Sequence, residues 1–284
     1  MICGENLYCE NPAGPKCGPG GDIVDAGDPD GTTSGACTPA ASMTSDQSLA
    51  LVGVWFAGDH ASQRAMFYDG TAIRTYEGNF DASGGKYVPA LPQLDATLRA
   101  PRLAPGGAEM FLKIDDAGAI TFGRSTRVGP TKWTAPDPLT FTTSGPVLPS
   151  FADGDNISPP TLTDPRRLII SGTFGYHELV ETSDAQHWSL VSTTAGGTLF
   201  ETSFVGEASL SPDGLKLIFL GNRGGTINAF YVTRPSTMSA FAGSAMPLPH
   251  AAGNSPITPF LSADCKHFYY TAMPAGDVRH VVLP

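Results

Sequence analysis

Six histidines, His60, His177, His187, His250, His267 and His280, are scattered singly, with no H-E-x-x-H or H-x-H pair. No ready-made zinc set can be read from such spacing, so no metal ligand is assigned. His267 and His280 fall on expected strands of one unit and can be neighbours, where packing explains them better than a metal. No G-x-S-x-G elbow exists, because Gly31-Thr-Thr-Ser-Gly35 and Gly123-Arg-Ser-Thr-Arg127 fail the spacing. That argues against an elbow-type serine hydrolase. A G-x-x-x-x-G-K-[ST] phosphate loop is missing as well, and Gly221-Asn-Arg-Gly-Gly225 reads as a hairpin connection rather than an anion cradle.

Carboxylates offer more. Asp22 to Gly31 reads D-I-V-D-A-G-D-P-D-G, which meets the alternation of a calcium loop only in part and lacks a closing glutamate. A solvated acidic linker is the expectation, with calcium the one cofactor left open. Asp153-Gly-Asp-Asn156 precedes a strand and can supply oxygen ligands, bond a partner, or serve only as a turn. Asp115, Asp155 and Glu207 are acids available for a glycosidase pair, but nothing selects two of them, so no catalytic residue is assigned. The loop residues taken as binding candidates are Asp153, Asp155, Asn156, Arg223, His250 and Asn254.

Cys3, Cys9, Cys17 and Cys37 cluster in a Gly-, Pro- and Asn-rich leader, spaced C-x5-C, C-x7-C and C-x19-C. Without a C-x2-C or C-x4-C knuckle, zinc fits poorly, and two disulfides in an oxidising compartment are expected, with three pairings open. Cys265 is odd, read as a small buried residue or a reactive thiol. Only Met1 and Ile2 precede Cys3, too little for the apolar stretch of about 7 to 15 residues that directs export. An exported chain then implies a removed signal or a truncated start, and a lipid anchor on Cys3 stays open.

The elements that must position these groups are short. Glycine (33) and proline (25) are abundant in 284 residues, and charged residues make 15%, so a large core built from many brief elements and tight turns is expected. Of the formal charge of −10, residues 1–48 carry seven acids against Lys16; the remainder is nearly balanced and offers a phosphate backbone no attraction. Nucleic acid is excluded as a partner on that ground. The longest apolar run, Leu49 to Ala57, is nine residues, well short of the roughly 18 that a membrane span needs.

A repeat organises the chain. Its clearest unit runs Glu207 to Leu220, then Gly221 to Gly225, then Ile227 to Arg234, as strand, turn, strand, loop, strand. In Ser211-Pro-Asp-Gly214, Pro212 fixes φ near −65°, Asp213 tolerates the second central position and Gly214 can take positive φ. The same grammar recurs around Leu103 to Gly107, Leu162 to Arg166 and Leu261 to Cys265. A weaker fifth unit takes Thr44 to Gln47 as its turn, Leu49 to Ala57 as the following strand and Ala65 to Tyr76 as a hairpin. Aromatic landmarks at Phe80, Trp133, Trp188 and Phe241 lie 53, 55 and 53 residues apart. Arg127 and Arg234, with Arg74, recur at equivalent places and are expected to bond turn carboxylates such as Asp213.

Units of three or four short antiparallel strands cannot bury both faces alone, so they must stack, and radial stacking leaves few exposed edges. The expected fold is an all-β propeller over 44–284, of five blades or alternatively six, behind a disulfide-rich tail over 1–43. Because the last unit stops after its third strand, closure calls for a strand donated from the N-terminal side.

Leu210 to Phe219 resembles the TolB-type, WD-like propeller repeat, a strand ending in Ser-Pro-Asp-Gly followed by an apolar, aromatic-rich strand. The resemblance extends loosely over 98–284, and the Cys-rich leader is similar to those of many bacterial envelope proteins. Departures at Cys265 for the turn glycine, at Asp164-Pro165, and at Gly106 for the aspartate imply turns of altered shape. The resemblance implies a non-catalytic binding or scaffold module, periplasmic, outer-membrane-associated or extracellular, engaging a protein or glycan through axial loops. Alternatives are a five-bladed glycoside hydrolase and a subunit of a homo-assembly joined through disulfide-linked tails.

Overall fold

The computed structural model describes residues 38–80, 86–91, 97–143 and 150–284; the expectations for the tail cysteines Cys3, Cys9, Cys17 and Cys37, for a lipid anchor and for the Asp22 to Gly31 segment lie outside them. Among the described residues every regular element is a strand, and no helix is long and apolar enough to cross a membrane.

Turn chemistry sets the local structure. Gly214 takes φ +70° and donates to the Ser211 carbonyl at 2.8 Å, while Asp213 accepts from the Leu215 amide and Ser211 Oγ from the Lys216 amide. The Leu261 to Cys265 turn repeats this pattern: Cys265 donates to the Ser262 carbonyl at 3.1 Å, and Asp264 and Ser262 cap the amides of Lys266 and His267. Cys265 adopts φ +56°, so it occupies the glycine's left-handed conformation and the turn keeps its shape. It is also disulfide-bonded, hence not a free thiol. At Gly106 the loss of the aspartate carboxylate does change the backbone, which turns to φ +82° there and +64° at Gly107.

Five antiparallel blades result. Blade 1 comprises Val54–Asp59, Arg64–Tyr68, Ile73–Glu77 and Val88–Pro89. Blade 2 comprises Thr97–Leu103, Glu109–Asp116, Ala119–Gly129 and Asp137–Pro138, with Lys132–Trp133 also pairing on its third strand. Blade 3 comprises Asn156–Ile157, Arg167–Gly172, Gly175–Glu181 and His187–Ala195, edged by Thr140–Thr142 in parallel. Blade 4 comprises Thr202–Leu210, Lys216–Arg223, Thr226–Thr233 and Ala242–Pro247, with Thr198–Leu199 beside the first of these. Blade 5 comprises Ser255–Leu261, His267–Met273 and Asp277–Val282, completed by Ser45–Val52. The first-named strand of each blade touches its counterparts in the next and previous blades, so these five close a ring around the axis.

Apolar side chains fill the seams between blades. Ala57, Met66 and Ile73 meet Leu103, Met110 and Trp133; Phe111 and Phe122 meet Ile157, Leu168 and Trp188; Ile169 and Tyr176 meet Phe204, Phe219 and Phe241; Tyr269 and Val278 meet Phe56, Phe67 and Phe80. The four regularly spaced aromatics are thus buried seam residues. Each fully buried side chain of this size stabilises the fold by roughly 1.5–3 kcal/mol.

Thr44 to Gln47 is not a turn. Ser45–Val52 is the donated closing strand, paired antiparallel with Asp277–Val282 from Ser45 against Val282. Blade 1 begins only after Gly53, where a Cβ would come within 2.5 Å of the Tyr68 carbonyl, so the chain must change sheets at that residue. Asp46 fastens the closure: its carboxylate accepts from Tyr270 Oη (2.6 Å), the Ala251 amide (2.7 Å) and Arg279 Nε (2.8 Å). Burial pushes this carboxyl up, but the three hydrogen bonds and the Arg279 charge outweigh it and hold its pKa below the ordinary value.

The recurrent arginines bridge blades rather than meet Asp213. Arg127 Nε bonds Glu77 of blade 1 (2.7 Å) and Arg234 grips both Glu178 oxygens of blade 3 at 2.9 Å; Arg166, which is not one of the recurrent set, makes a similar bridge to Glu109 of blade 2. Arg74 alone bonds a turn acid, Asp69 of its own hairpin. Side-chain exposure separates the bridges: 1% and 6% for Arg234 and Glu178, against 22% and 28% for Arg127 and Glu77.

Glu178 keeps Arg167 at 2.9 Å, so Arg234→Ala removes two buried charged hydrogen bonds without stranding the carboxylate and is expected to cost about 2–3 kcal/mol. Arg127→Ala is expected to cost under about 1 kcal/mol; urea unfolding distinguishes the two, and equal losses refute the ordering. Asp46→Asn is expected to lose about 1–3 kcal/mol near pH 7 through its weakened hydrogen bonds. Because the folded pKa of Asp46 is depressed, its contribution is present above the unfolded value and lost as pH falls through the folded one. The stability gap to wild type, measured by denaturant titration, should therefore close in acid.

Candidate functional site

Blades 2 and 4 are not neighbours, so a contact between them crosses the axis. Across it Arg102 and Glu207 attract one another through charge alone: no ion pair joins them, and Arg102 Nη1 and Glu207 Oε2 are buried with no hydrogen-bond partner among the described residues. The inner strands carry bulges with a residue at positive φ in four blades: Trp55, Ala100, Glu207 and Thr258, each between φ +51° and +56°. A bulge re-aims the side chain it carries. In blade 4 it presents Glu207 to the axis, where the Thr258 amide of blade 5 hydrogen-bonds the carboxylate and the Arg102 charge faces it. Burial pushes Glu207 up, and burial lowers Arg102 to about 10 against the pull of Glu207.

A second layer adjoins it. Lys113, with a side chain only 2% exposed, donates to the Asp153 carbonyl and lies 3.4 Å from its carboxylate and 5.9 Å from the Trp55 ring centre. Burial lowers the Lys113 pKa, and the Asp153 charge opposes that. Arg99 pairs with Asp115 and, at 3.0 Å, with Asp153. Asp115, whose pKa is lowered first by the Gly118 amide, closes its own hairpin loop. Charged groups of blades 2, 3 and 4, with the Trp55 ring of blade 1 and the Thr258 amide of blade 5, therefore form one axial column, from half-buried Glu207 to Asp153, whose side chain is 69% exposed.

The predicted binding residues share a face without converging. Asp153, Asp155 and Asn156 sit at the entrance to the inner strand of blade 3. Asp155 is buried and accepts from the Ala152 amide at 2.7 Å, which fixes the loop that offers Asp153 to Lys113. Asn156 is buried, bonds the Gly154 carbonyl, and keeps an Oδ1 that no described donor reaches. His250 and Asn254 lie on the connection into blade 5, bonding Asn228 and Tyr270 respectively. Arg223 closes blade 4, donating to Thr202 and the Ala245 carbonyl and stacking on Phe230.

Sequence reading missed Arg99, Arg102, Trp55 and Lys113. Lys113 left a signal, a lone cation inside the apolar run Met110 to Ile114, whereas Arg102 lies 105 positions from Glu207. His60 was missed also: it joins His267 and His280 at the seam of blades 5 and 1, with one nitrogen from each ring lying within 4.8 Å of the others. A separate cleft of about 470 Å³ between blades 3 and 4 is lined by Phe200, Phe241 and Met238 and by the Arg167, Glu178 and Arg234 bridge.

Arg102→Met removes the charge that faces Glu207 but no hydrogen bond or ion pair, an expected loss of about 1–3 kcal/mol at pH 7. Glu207 has a raised folded pKa, so the folded state gains on protonating it, and the loss should shrink as pH falls through that pKa. Arg102→Met/Glu207→Gln should recover most of it; urea unfolding of both variants across pH tests the pairing.

No protein-family model matches the chain, and no curated protein matches it either. Solved structures do. The catalytic domain of the Coprinopsis cinerea GH62 alpha-L-arabinofuranosidase is 12% identical, with a TM-score of 0.57 over 87% of this chain and 95% of that one. The endo-arabinase of Bacteroides thetaiotaomicron is 12% identical, TM-score 0.51, over 87% and 96%. A putative TolB from Agrobacterium tumefaciens is 13% identical, TM-score 0.47, over 79% and 71%. At such identities the likeness to the arabinofuranosidase and the endo-arabinase is one of fold alone.

Proposed function

We propose that this five-bladed propeller is an exported, non-catalytic binding module that holds a protein or glycan partner over the charged column at its axis. The observation that carries the reading is that Asp153, Asp115 and Asp155 each already have a partner. Asp153 has Lys113 and Arg99; Asp115 has Arg99; Asp155 has the Ala152 amide; Glu207 has the Thr258 amide and the attraction of the Arg102 charge, but its Oε2 is buried with no hydrogen-bond partner among the described residues. Glycoside hydrolysis needs two carboxyl groups flanking a sugar, one free to give a proton and one to attack or to activate water. Side chains locked into ion pairs are better suited to fixed polar recognition, with the exposed Asp153 and Arg99 at the contact surface. Export is supported by the disulfide at Cys265, since such bonds persist in oxidising compartments.

One observation favours the rival hydrolase reading: the raised pKa of Glu207 is what a general acid requires. Both readings face one experiment. Wild type, Arg99→Ala and Glu207→Gln are titrated calorimetrically with arabinan and xylan oligosaccharides and with fractionated envelope proteins, and reducing sugar is followed in parallel. The binding reading expects a saturable partner, no sugar release, and affinity reduced about 10- to 100-fold in Arg99→Ala with unchanged melting temperature. Sugar release by wild type that Glu207→Gln abolishes would replace it with hydrolysis.

A further inference from the structure

His60, His267 and His280 come from three separate stretches of chain and two blades, and the ring closure brings them together. His267 opens the second strand of blade 5 and His280 lies on the third; His267 Nδ1 and His280 Nε2 face one another at 2.9 Å. His60 follows the inner strand of blade 1 and stacks on His267 with ring centres 3.7 Å apart. One nitrogen from each ring lies within 4.8 Å of the others. On a tetrahedral zinc ion with bonds of about 2.0–2.1 Å, imidazole nitrogens stand about 3.3 Å apart, a value inside the observed span.

Polar neighbours fit a metal set. The Asp264 carboxylate lies 3.9 Å from His267 Nε2, the ring nitrogen opposite the one that faces His280. That separation is longer than a hydrogen bond; closing it would let the carboxylate fix the tautomer of a ligating His267 and raise its basicity. The Tyr269 hydroxyl bonds His60 Nε2 at 2.6 Å, adding an oxygen at the edge of the cluster. His280 is buried while His60 is partly exposed, which gives an ion a route from solvent.

We propose that His60, His267 and His280 bind a zinc-class divalent ion, which clips blade 1 to blade 5 across the closing seam. Three neutral imidazoles select zinc, copper or nickel over calcium or magnesium, and a fourth position stays open to water. The clip is independent of the axial column and of what that column binds.

The full chain, free of any histidine tag and stripped with chelator, is titrated calorimetrically with zinc chloride, and cobalt substitution is followed by visible absorption. The expected result is one equivalent bound, tetrahedral cobalt bands and a higher melting temperature. Asp264→Asn should weaken zinc binding about 10- to 100-fold. His60→Asn, at a partly exposed position, should abolish the bands and the thermal shift while its chelated form melts as the chelated wild type does. No uptake by folded wild type, or equal uptake and thermal shift in His60→Asn, would overturn the proposal, as would magnesium or calcium raising the melting temperature as zinc does.

Discussion

A small twisted sheet with two apolar faces has to hide both, and every other feature of this molecule follows from how it does so. Each blade lends its faces to its neighbours, so the hydrophobic cores are seams rather than centres: Phe111 packs against blade 3 and Phe219 beside Tyr176 of blade 3. A row of such sheets ends in two bare faces unless it curves back on itself. Ser45–Val52 enforces that return by sitting in the sheet of the last blade while the next residues begin the first. One strand exchange thus joins the two ends of the row by backbone hydrogen bonds, and Asp46 anchors it by tying Arg279, Tyr270 and the Ala251 amide together.

Radial packing also decides where charge can go. Seams are apolar in the middle, and the Arg–Glu bridges Arg127–Glu77, Arg166–Glu109 and Arg234–Glu178 repeat from blade to blade. Since each bridge spans two blades, it adds register to contacts that hydrophobicity alone leaves free to slide. At the axis, where inner strands from all blades come close, polar side chains have no apolar alternative and must satisfy one another. Lys113 with Asp153 is that solution, whereas Arg102 and Glu207 attract one another while each keeps a buried polar atom with no described hydrogen-bond partner.

How much of this was legible in the sequence depended on distance along the chain. Ser211-Pro-Asp-Gly214 announces a turn because four adjacent residues make it, and the aromatics at Phe80, Trp133, Trp188 and Phe241 reveal the repeat because each meets the same local demand. Five blades and the donated strand follow from that count. Thr44 to Gln47 misled because polar, turn-forming residue types also suit an edge strand, and only pairing with Asp277–Val282 tells the two apart. Arg102 with Glu207, and His60 with His267, are set by ring geometry, which no local pattern encodes. Even Asp153, legible as a loop acid, acquires its meaning from Lys113, forty positions earlier.

The strand exchange has a consequence for synthesis. Ser45–Val52 leaves the ribosome before any blade exists, yet its only seat is against Asp277–Val282, nearly at the opposite end of the described chain. Some 230 residues must be translated and ordered while this segment waits with its backbone unpaired. The earliest of the described strands to emerge is the last of them to dock, and the nascent chain carries an adhesive edge until then, a vulnerability that a holding chaperone would be well placed to cover.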